Sequence, residues 1–317
     1  MNLALVGAGL MGSNHARIVS ECDDAKLTMV IDTDSVRAQL LAEKCSSEWG
    51  TDISQLRKTD AVILASATDT HYQLAMDLIE LRLPILIEKP IACSLSQVQN
   101  LVDMASKYGV PIMCGFVERF NPVFASVKSL ISSELLQINS MRQSPRNPRV
   151  TSSAVWDLLI HDIDLALQLT RLSSPPTQIL GSGIYGSNPD WVEAVEAVMR
   201  TDKGPLLSHS ASRLWHRKVR TMDIVDQECL LELDFLRQTI TKFRHVSQEQ
   251  IIDGTFVYRS DTIVDIPFVR HSGEPLALQF LHFMNLVRGN SDFRQELQGL
   301  LLAHTIAESI DRACKLN

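Results

Sequence analysis

LALVGAGLMGSNHARIV (residues 3–19) passes from an apolar strand through three glycines into the start of a helix. Gly7, Gly9 and Gly12 have the G-x-G-x-x-G spacing. At such a junction the first glycine permits a tight turn, the second lets the backbone approach a pyrophosphate, and the third lets the helix close on the strand. The unpaired N–H groups of the helix start then face the anion. Leu10 and Met11 begin that helix and join the glycines as expected cofactor contacts. A glycine turn with no ligand is the alternative for this stretch alone, but the next strand ends in Asp32, about 20 residues past Gly12, where a carboxylate accepts from ribose hydroxyls. Asp32, Thr33 and Asp34 put negative charge where a 2′-phosphate would lie, so NAD is expected rather than NADP, with Arg37 near enough in sequence to keep NADP open.

The same rhythm extends outward. LTMVID (27–32), AVILAS (61–66), PILIE (84–88) and PIMCGF (111–116) are strand-like, and helical stretches at 34–45, 70–80 and 94–107 separate them. Uniformly apolar strands alternating with helices predict βαβ units and a parallel sheet buried on both faces. The helix at 94–107 opens SLSQ, where Ser94 caps and Gln97 closes a capping box. Past about residue 120 the pattern changes. In CLLELDFLRQTI (229–240), Leu231, Leu233 and Phe235 point one way and Glu232 and Asp234 the other, as in an antiparallel sheet with one wet face. The expected fold is therefore α/β: a dinucleotide-binding domain over 1–120, then an α+β domain over 121–317 with an open, mostly antiparallel sheet. Helical segments at about 275–288 and 294–314 close the chain and can return to the first domain.

A chain of 317 residues with 45% hydrophobic content suits two such cores. Its net charge of −7 argues against nucleic acid and anionic membrane as partners. The six cysteines are scattered without a CxxC pair, which fits a reducing cytoplasm. The apolar opening lacks a basic leader region, and no run of about 18 apolar residues follows, so neither export nor a membrane span is expected. No metal site is expected, since the histidines lack ligand spacing. SPRNPR (144–149) and LSSPPT (172–177) read as local loops.

A second stretch, VWDLLIHDIDLALQL (155–169), reads as a buried helix that nevertheless carries Asp157, His161 and Asp164. With 3.6 residues per turn, these and Gln168 form one polar stripe, and the apolar residues occupy the rest. A titratable stripe in a core helix needs a partner, a solvent seam or a substrate. A packed histidine with its hydrogen bonds satisfied is the alternative for His161 alone.

Between these stretches, ILASATDTHYQLA (63–75) ends a strand in small and hydroxylated residues, which makes Ser66, Thr68 and His71 candidate cofactor contacts. ILIEKP (85–90) places Glu88 and Lys89 at the carboxyl edge of the sheet, where ligands of such folds bind. For His15 and His71, local packing or capping is the competing reading. The ordered set GAGLMG, Asp32, S-A-T-x-x-H, E-K-P and D-x-x-x-H-x-x-D resembles the Gfo/Idh/MocA oxidoreductases over residues 1 to about 170. GFVERFNP (115–122) and the arginine-bearing loop before VWDLLIHDID look most like the branch that oxidises C3 of UDP-N-acetylhexosamines or their uronic acids.

That resemblance implies a Rossmann domain, a second domain whose open sheet serves for homodimer or homotetramer contact, and an active site between the two. It also implies that Lys89, Asp157 and His161 are catalytic. His161 would be the base that takes the hydroxyl proton. Lys89 would stabilise negative charge on the same oxygen, and Asp157 would orient the pair or bind a neighbouring hydroxyl. Asp164 serves either packing or function. The chain departs from the family's A-T-P-T at Ser66, Ala67 and Thr68. Arg119, Asn121, Arg146 and Arg149, with Arg142 beside the loop, are candidate substrate anchors, since guanidinium groups hold diphosphates bidentately. The reading that follows is an NAD-dependent dehydrogenase of a sugar or nucleotide-sugar, with a free sugar, sugar phosphate or inositol as alternative substrate and a non-catalytic NAD(H)-sensing regulator as alternative class.

Overall fold

The computed structural model describes residues 1–147, 152–186, 191–202, 204–252 and 255–316. The chain divides into two compact units, one comprising Met1–Val117 and Glu274–Glu308, the other Glu118–Gly273 and Ser309–Asn317.

In the first unit the strands β1 (Asn2–Val6), β2 (Lys26–Ile31), β3 (Glu48–Gly50), β4 (Ala61–Leu64), β5 (Ile85–Ile87) and β6 (Ile112–Cys114) alternate with helices α1 (Leu10–Ser20), α2 (Ser35–Cys45), α3 (Thr68–Glu80) and α4 (Leu95–Tyr108). The sheet order is β3-β2-β1-β4-β5-β6 with every neighbour parallel. Chain order reverses between β1 and β4, so the crevice at their carboxyl ends is the topological switch point where ligands of such sheets bind. Leu3, Leu5, Ile63, Leu64, Ile85 and Leu86 are fully buried, as helices on both faces require. The strand β3, only EWG, has no apolar run or alternation and is not announced by the sequence. At α4 the Ser94 hydroxyl accepts from the Gln97 N–H, but the Gln97 side chain accepts from Cys93 N–H rather than from Ser94, so the box closes one residue early.

The second unit holds α5 (Pro122–Val127), β7 (Leu135–Gln143), a π-helical turn at Val155–Leu159 leading into α6 (Ile160–Thr170), then β8 (Gln178–Tyr185), β9 (Val192–Arg200), β10 (Leu206–Ser212), β11 (Val219–Asp226), β12 (Leu230–Asp234), β13 (Thr239–Ile252) and β14 (Thr255–Asp265). These form an eight-stranded sheet, β14-β13-β12-β11-β7-β10-β9-β8, antiparallel except for the β7–β10 pair. Leu231, Leu233 and Phe235 are buried while Glu232 is exposed, the alternation the sequence shows. α6 packs on β7 and β10. The opposite face carries exposed Met141, Leu180, Ile184, Val198 and Leu206.

The chain ends in α7 (Pro275–Val287), which packs on α1, and α8 (Phe293–Leu316), which gives its residues through Glu308 to the first unit and the remainder to the second. Among the described residues no helix is long and apolar enough to cross a membrane.

Candidate active site

In the first unit the glycine turn is shaped by close approach rather than by flexibility. Gly7 has φ +102°, and a Cβ there would lie 2.5 Å from Ser66 N and 2.6 Å from the Ala65 carbonyl carbon. The loops after β1 and β4 therefore meet at the switch point without room for a side chain. A Cβ on Gly12 would overlap the Gly7 carbonyl oxygen, so that position is closed to anything larger. Gly9 differs, because a Cβ there meets nothing within 4 Å. Its openness leaves space for an incoming group, and the α1 N-terminus has no side-chain cap. α3, which follows β4, is also uncapped by a side chain, whereas Asp34 caps α2 and Ser94 caps α4. The two helix starts at the crevice thus keep their N–H groups for an anion. These residues fit a dinucleotide.

Asp32 is 10% exposed at its side chain and accepts from Ala8 N–H at 2.7 Å and Asp34 N–H at 2.9 Å. A carboxylate has about four acceptor sites, so two remain for hydroxyls. Arg37 donates to Asp34 at 2.9 Å and lies 3.7 Å from Asp32. Leu10 is 78% exposed at the helix start, Met11 is partly exposed, and Thr68 is the first residue of α3.

Two expected cofactor contacts have other work. His71 is 1% exposed, with Nδ1 3.0 Å from the Pro90 carbonyl and Nε2 3.1 Å from the Ser66 carbonyl. Burial lowers its pKa against the pull of both carbonyls. The neutral ring donates to one and ties the loop after β4 to the loop after β5. Glu88, 12% exposed, pairs at 2.8 Å with the buried His15. Lys89 follows Glu88 directly, half-buried, at a cis Lys89–Pro90 bond.

In the second unit Asp157 lies in the π turn, half-buried, and His161 lies near the start of α6, 8% exposed. The wider turn changes the register expected of an α-helix, so the polar stripe is not straight. It also does not hold all the polar residues, because Asp162 is 2% exposed on a different face. Its carboxylate is gripped bidentately by Arg142, Nε at 2.8 Å and Nη2 at 2.9 Å. Arg142 also donates to Glu118 at 3.0 Å, and Arg220 reaches the same Glu118 oxygen at 3.0 Å. Burial would raise the Glu118 carboxyl, but the two guanidiniums outweigh it and hold the group below its ordinary range. Burial would likewise lower Arg142, but Asp162 and Glu118 keep it firmly cationic.

Several of the anchors expected from the sequence have partners within the second unit. Arg119 grips buried Asp164 through Nε at 2.6 Å and through Nη2, which gives Asp164 a structural partner and occupies the fork meant for a diphosphate. Asn121 caps α5 by accepting from Val123 N–H and donates to Glu118 and to the Phe235 carbonyl. Arg142, near the end of β7 and beside that loop, belongs to the buried network. Arg146 is 55% exposed and 3.6 Å from Glu193. Arg149 lies outside the described residues. Glu118, Asp162 and Arg220 are the members sequence reasoning missed. A third acidic residue, Asp162, among the leucines of 155–169 was the available signal, since a buried carboxylate demands a cation.

A switch-point crevice with a GxGxxG turn, an acid closing the second strand and uncapped helix starts defines a dinucleotide-binding Rossmann fold. The family described as "Oxidoreductase family, NAD-binding Rossmann fold" matches residues 1–116. A myo-inositol dehydrogenase of Streptomyces leeuwenhoekii is 30% identical over 230 residues, 67% of this chain and 70% of that protein. The UDP-N-acetylglucosamine 3-dehydrogenase of Acidithiobacillus ferrooxidans is 27% identical over 243 residues, 76% of each. A solved structure of that enzyme superposes with a TM-score of 0.85 at 23% identity, covering 100% of this chain and 98% of its own. Across the curated relatives it matches, the chain spans from half to about three quarters of their length. The chain belongs to the Gfo/Idh/MocA family.

Proposed function

We propose that the protein is an NAD-dependent dehydrogenase acting on a ring CH–OH of a sugar, with a nucleotide-linked amino sugar or its uronic acid, oxidised at C3, as the leading substrate. The observation that carries the reading is the placement of His161 and Asp157 one turn apart at the head of one helix, in a chain whose other unit carries Lys89 two residues past the end of β5, in the dinucleotide-binding sheet. The dinucleotide, when bound, supplies the acceptor for the hydrogen leaving carbon with its electron pair. His161 takes the hydroxyl proton as general base and returns it in the reverse direction. Asp157 orients the imidazole or holds an adjacent hydroxyl. Lys89 stabilises charge developing on the oxygen that becomes a carbonyl.

The cofactor preference rests on Arg37. Its guanidinium is held between Asp34 and Asp32, so negative charge rather than a free cation stands where a 2′-phosphate would go. The C3 nucleotide-sugar reading is supported by the Acidithiobacillus relative, and the inositol dehydrogenase relative favours a second reading in which a free cyclitol or sugar is oxidised. The exposed apolar face of the eight-stranded sheet supports self-association as a homodimer or homotetramer.

The test is NADH formation by purified protein with NAD and, in turn, UDP-N-acetylglucosamine, its uronic acid, glucose 6-phosphate and myo-inositol. Lys89→Ala and His161→Ala should each lower turnover by about 10²-fold or more while NAD affinity stays near wild type. Full turnover in both variants would refute the assignment. NADH binding that alters assembly, with none of the four oxidised, would favour a sensor.

A further inference from the structure

The second unit contains a basic cavity that the chemistry above does not use. Between the start of β11 and the β12–β13 turn lies a pocket of about 250 Å³ whose walls carry Arg217, Lys218, Arg220 and Arg237. Asp234 is the one acid among its lining residues, and Leu236 and Val219 give it an apolar side. The stretch HRKVR (216–220) is the densest run of positive charge in a chain whose net charge is −7. Positive charge gathered in one concavity of an acidic protein points to an anion rather than to general solubility.

The charges do not cancel internally. Arg220 and Arg142 stand directly opposite on β11 and β7, a pairing of like charges that Glu118 relieves by accepting from both at 3.0 Å. With Asp162, these four groups are neutral together. Of the remaining cations, Arg237 lies 3.8 Å from Asp234 and is 81% exposed. Arg217 and Lys218 are exposed, and among the described residues neither has an acidic side chain in salt-bridge range. The pocket is thus left with about two uncompensated positive charges, matching a phosphate or a diphosphate diester. Arg220 joins it to the catalytic helix, because Glu118 leads through Arg142 to Asp162, the residue after His161.

We propose that this pocket binds phosphoryl oxygens of the substrate, with Arg217 and Lys218 as direct ligands and Arg220 as the fixed cation at its base. Leu236 and Val219 then offer an apolar surface to the group that the phosphate carries. The assignment moves the anion anchor from the 144–149 loop to the start of β11, and it deepens the dehydrogenase reading by specifying a phosphorylated substrate. Two sources supply the same oxygens, the diphosphate of a nucleotide sugar and the monoester of a sugar phosphate.

The test uses the full-length protein saturated with NADH and titrates UDP, then glucose 6-phosphate, by isothermal calorimetry. At least one should bind with an affinity that falls as salt rises. The double substitution Arg217→Ala/Lys218→Ala should weaken that binding by about tenfold for each charge-assisted hydrogen bond it removes. Both side chains are exposed, so the circular dichroism spectrum should stay unchanged. Binding of UDP alone assigns the pocket to a nucleotide diphosphate, and binding of glucose 6-phosphate alone assigns it to a sugar phosphate. If neither binds, or if the double variant binds as wild type does, the inference is overturned. The two proposals separate cleanly: oxidation of an unphosphorylated polyol with no anion binding removes the pocket and keeps the dehydrogenase, whereas anion binding without oxidation does the reverse.

Discussion

Replacing Asp162 by Asn keeps the shape of the side chain and removes its charge, in a position where charge is the reason for the residue. The carboxylate and the Arg142 guanidinium are 2% and 3% exposed and meet through two bonds at 2.8 and 2.9 Å. Asn can accept one of those bonds, but its NH2 then faces a second N–H donor. Arg142 retains only Glu118, which it shares with Arg220, so a buried cluster that was neutral gains one positive charge. Breaking a buried, hydrogen-bonded ion pair in this way costs about 3–5 kcal/mol. At roughly 2–4 °C per kcal/mol for a unit of this size, the melting transition of the second unit should fall by about 6–20 °C. Urea unfolding followed by intrinsic fluorescence gives the same quantity at constant temperature. A double-mutant cycle with Arg142→Met should return a coupling of at least about 2 kcal/mol, because residues in one ion-pair network do not act additively. A destabilisation below about 1 kcal/mol for Asp162→Asn, or a coupling near zero, would show that water or a neighbouring acid neutralises Arg142 and that the network does not hold this helix.

Removing the Asp32 carboxylate in Asp32→Ala frees Arg37 from one of its two acids and leaves Ala8 N–H without its acceptor; NADH affinity should drop by about tenfold or more while NADPH affinity rises, read by cofactor fluorescence. An unchanged NADH affinity would remove Asp32 from the ribose site. Burial depresses His209 to about 4, well below the ordinary value of 6.5. The unfolded chain therefore binds the extra proton between those values, and stability contributed above pH 6.5 is lost as pH falls towards 4, by up to about 3 kcal/mol. His209→Gln should flatten the melting temperature against pH in that window, and an unaltered slope would assign the acid sensitivity to His304, which burial depresses in the same way. Ile184→Asp on the open sheet face should shift the protein to a smaller species in light scattering if that face joins copies; no shift would place the interface elsewhere.

The first unit is legible because its signals are local. Gly7 and Gly12 are held by steric conditions that lie within a few residues of the turn or at the adjacent strand end, Gly9 leaves open space beside them, and the apolar strands announce a sheet buried on both sides. The exception, β3, is three residues of an edge strand whose pairing with β2 comes from tertiary context alone. The second unit shows where local reading ends. Helix periodicity assigns Asp157, His161 and Asp164 to one stripe, but it cannot foresee a π turn, nor can it separate a carboxylate aimed at substrate from one aimed at a guanidinium. Arg119 and Asp164 are 45 positions apart, and Arg220 and Glu118 are 102. Each arginine looks available when read alone and is committed once folded. Conversely, Arg217 and Lys218 look like ordinary surface charge until β11 is laid beside β7 and its neighbour Arg220 is seen tied to the acid that serves Arg142. Pairing of buried charges consumes the residues that sequence nominates for binding, and what pairing leaves over marks where a charged ligand should be sought.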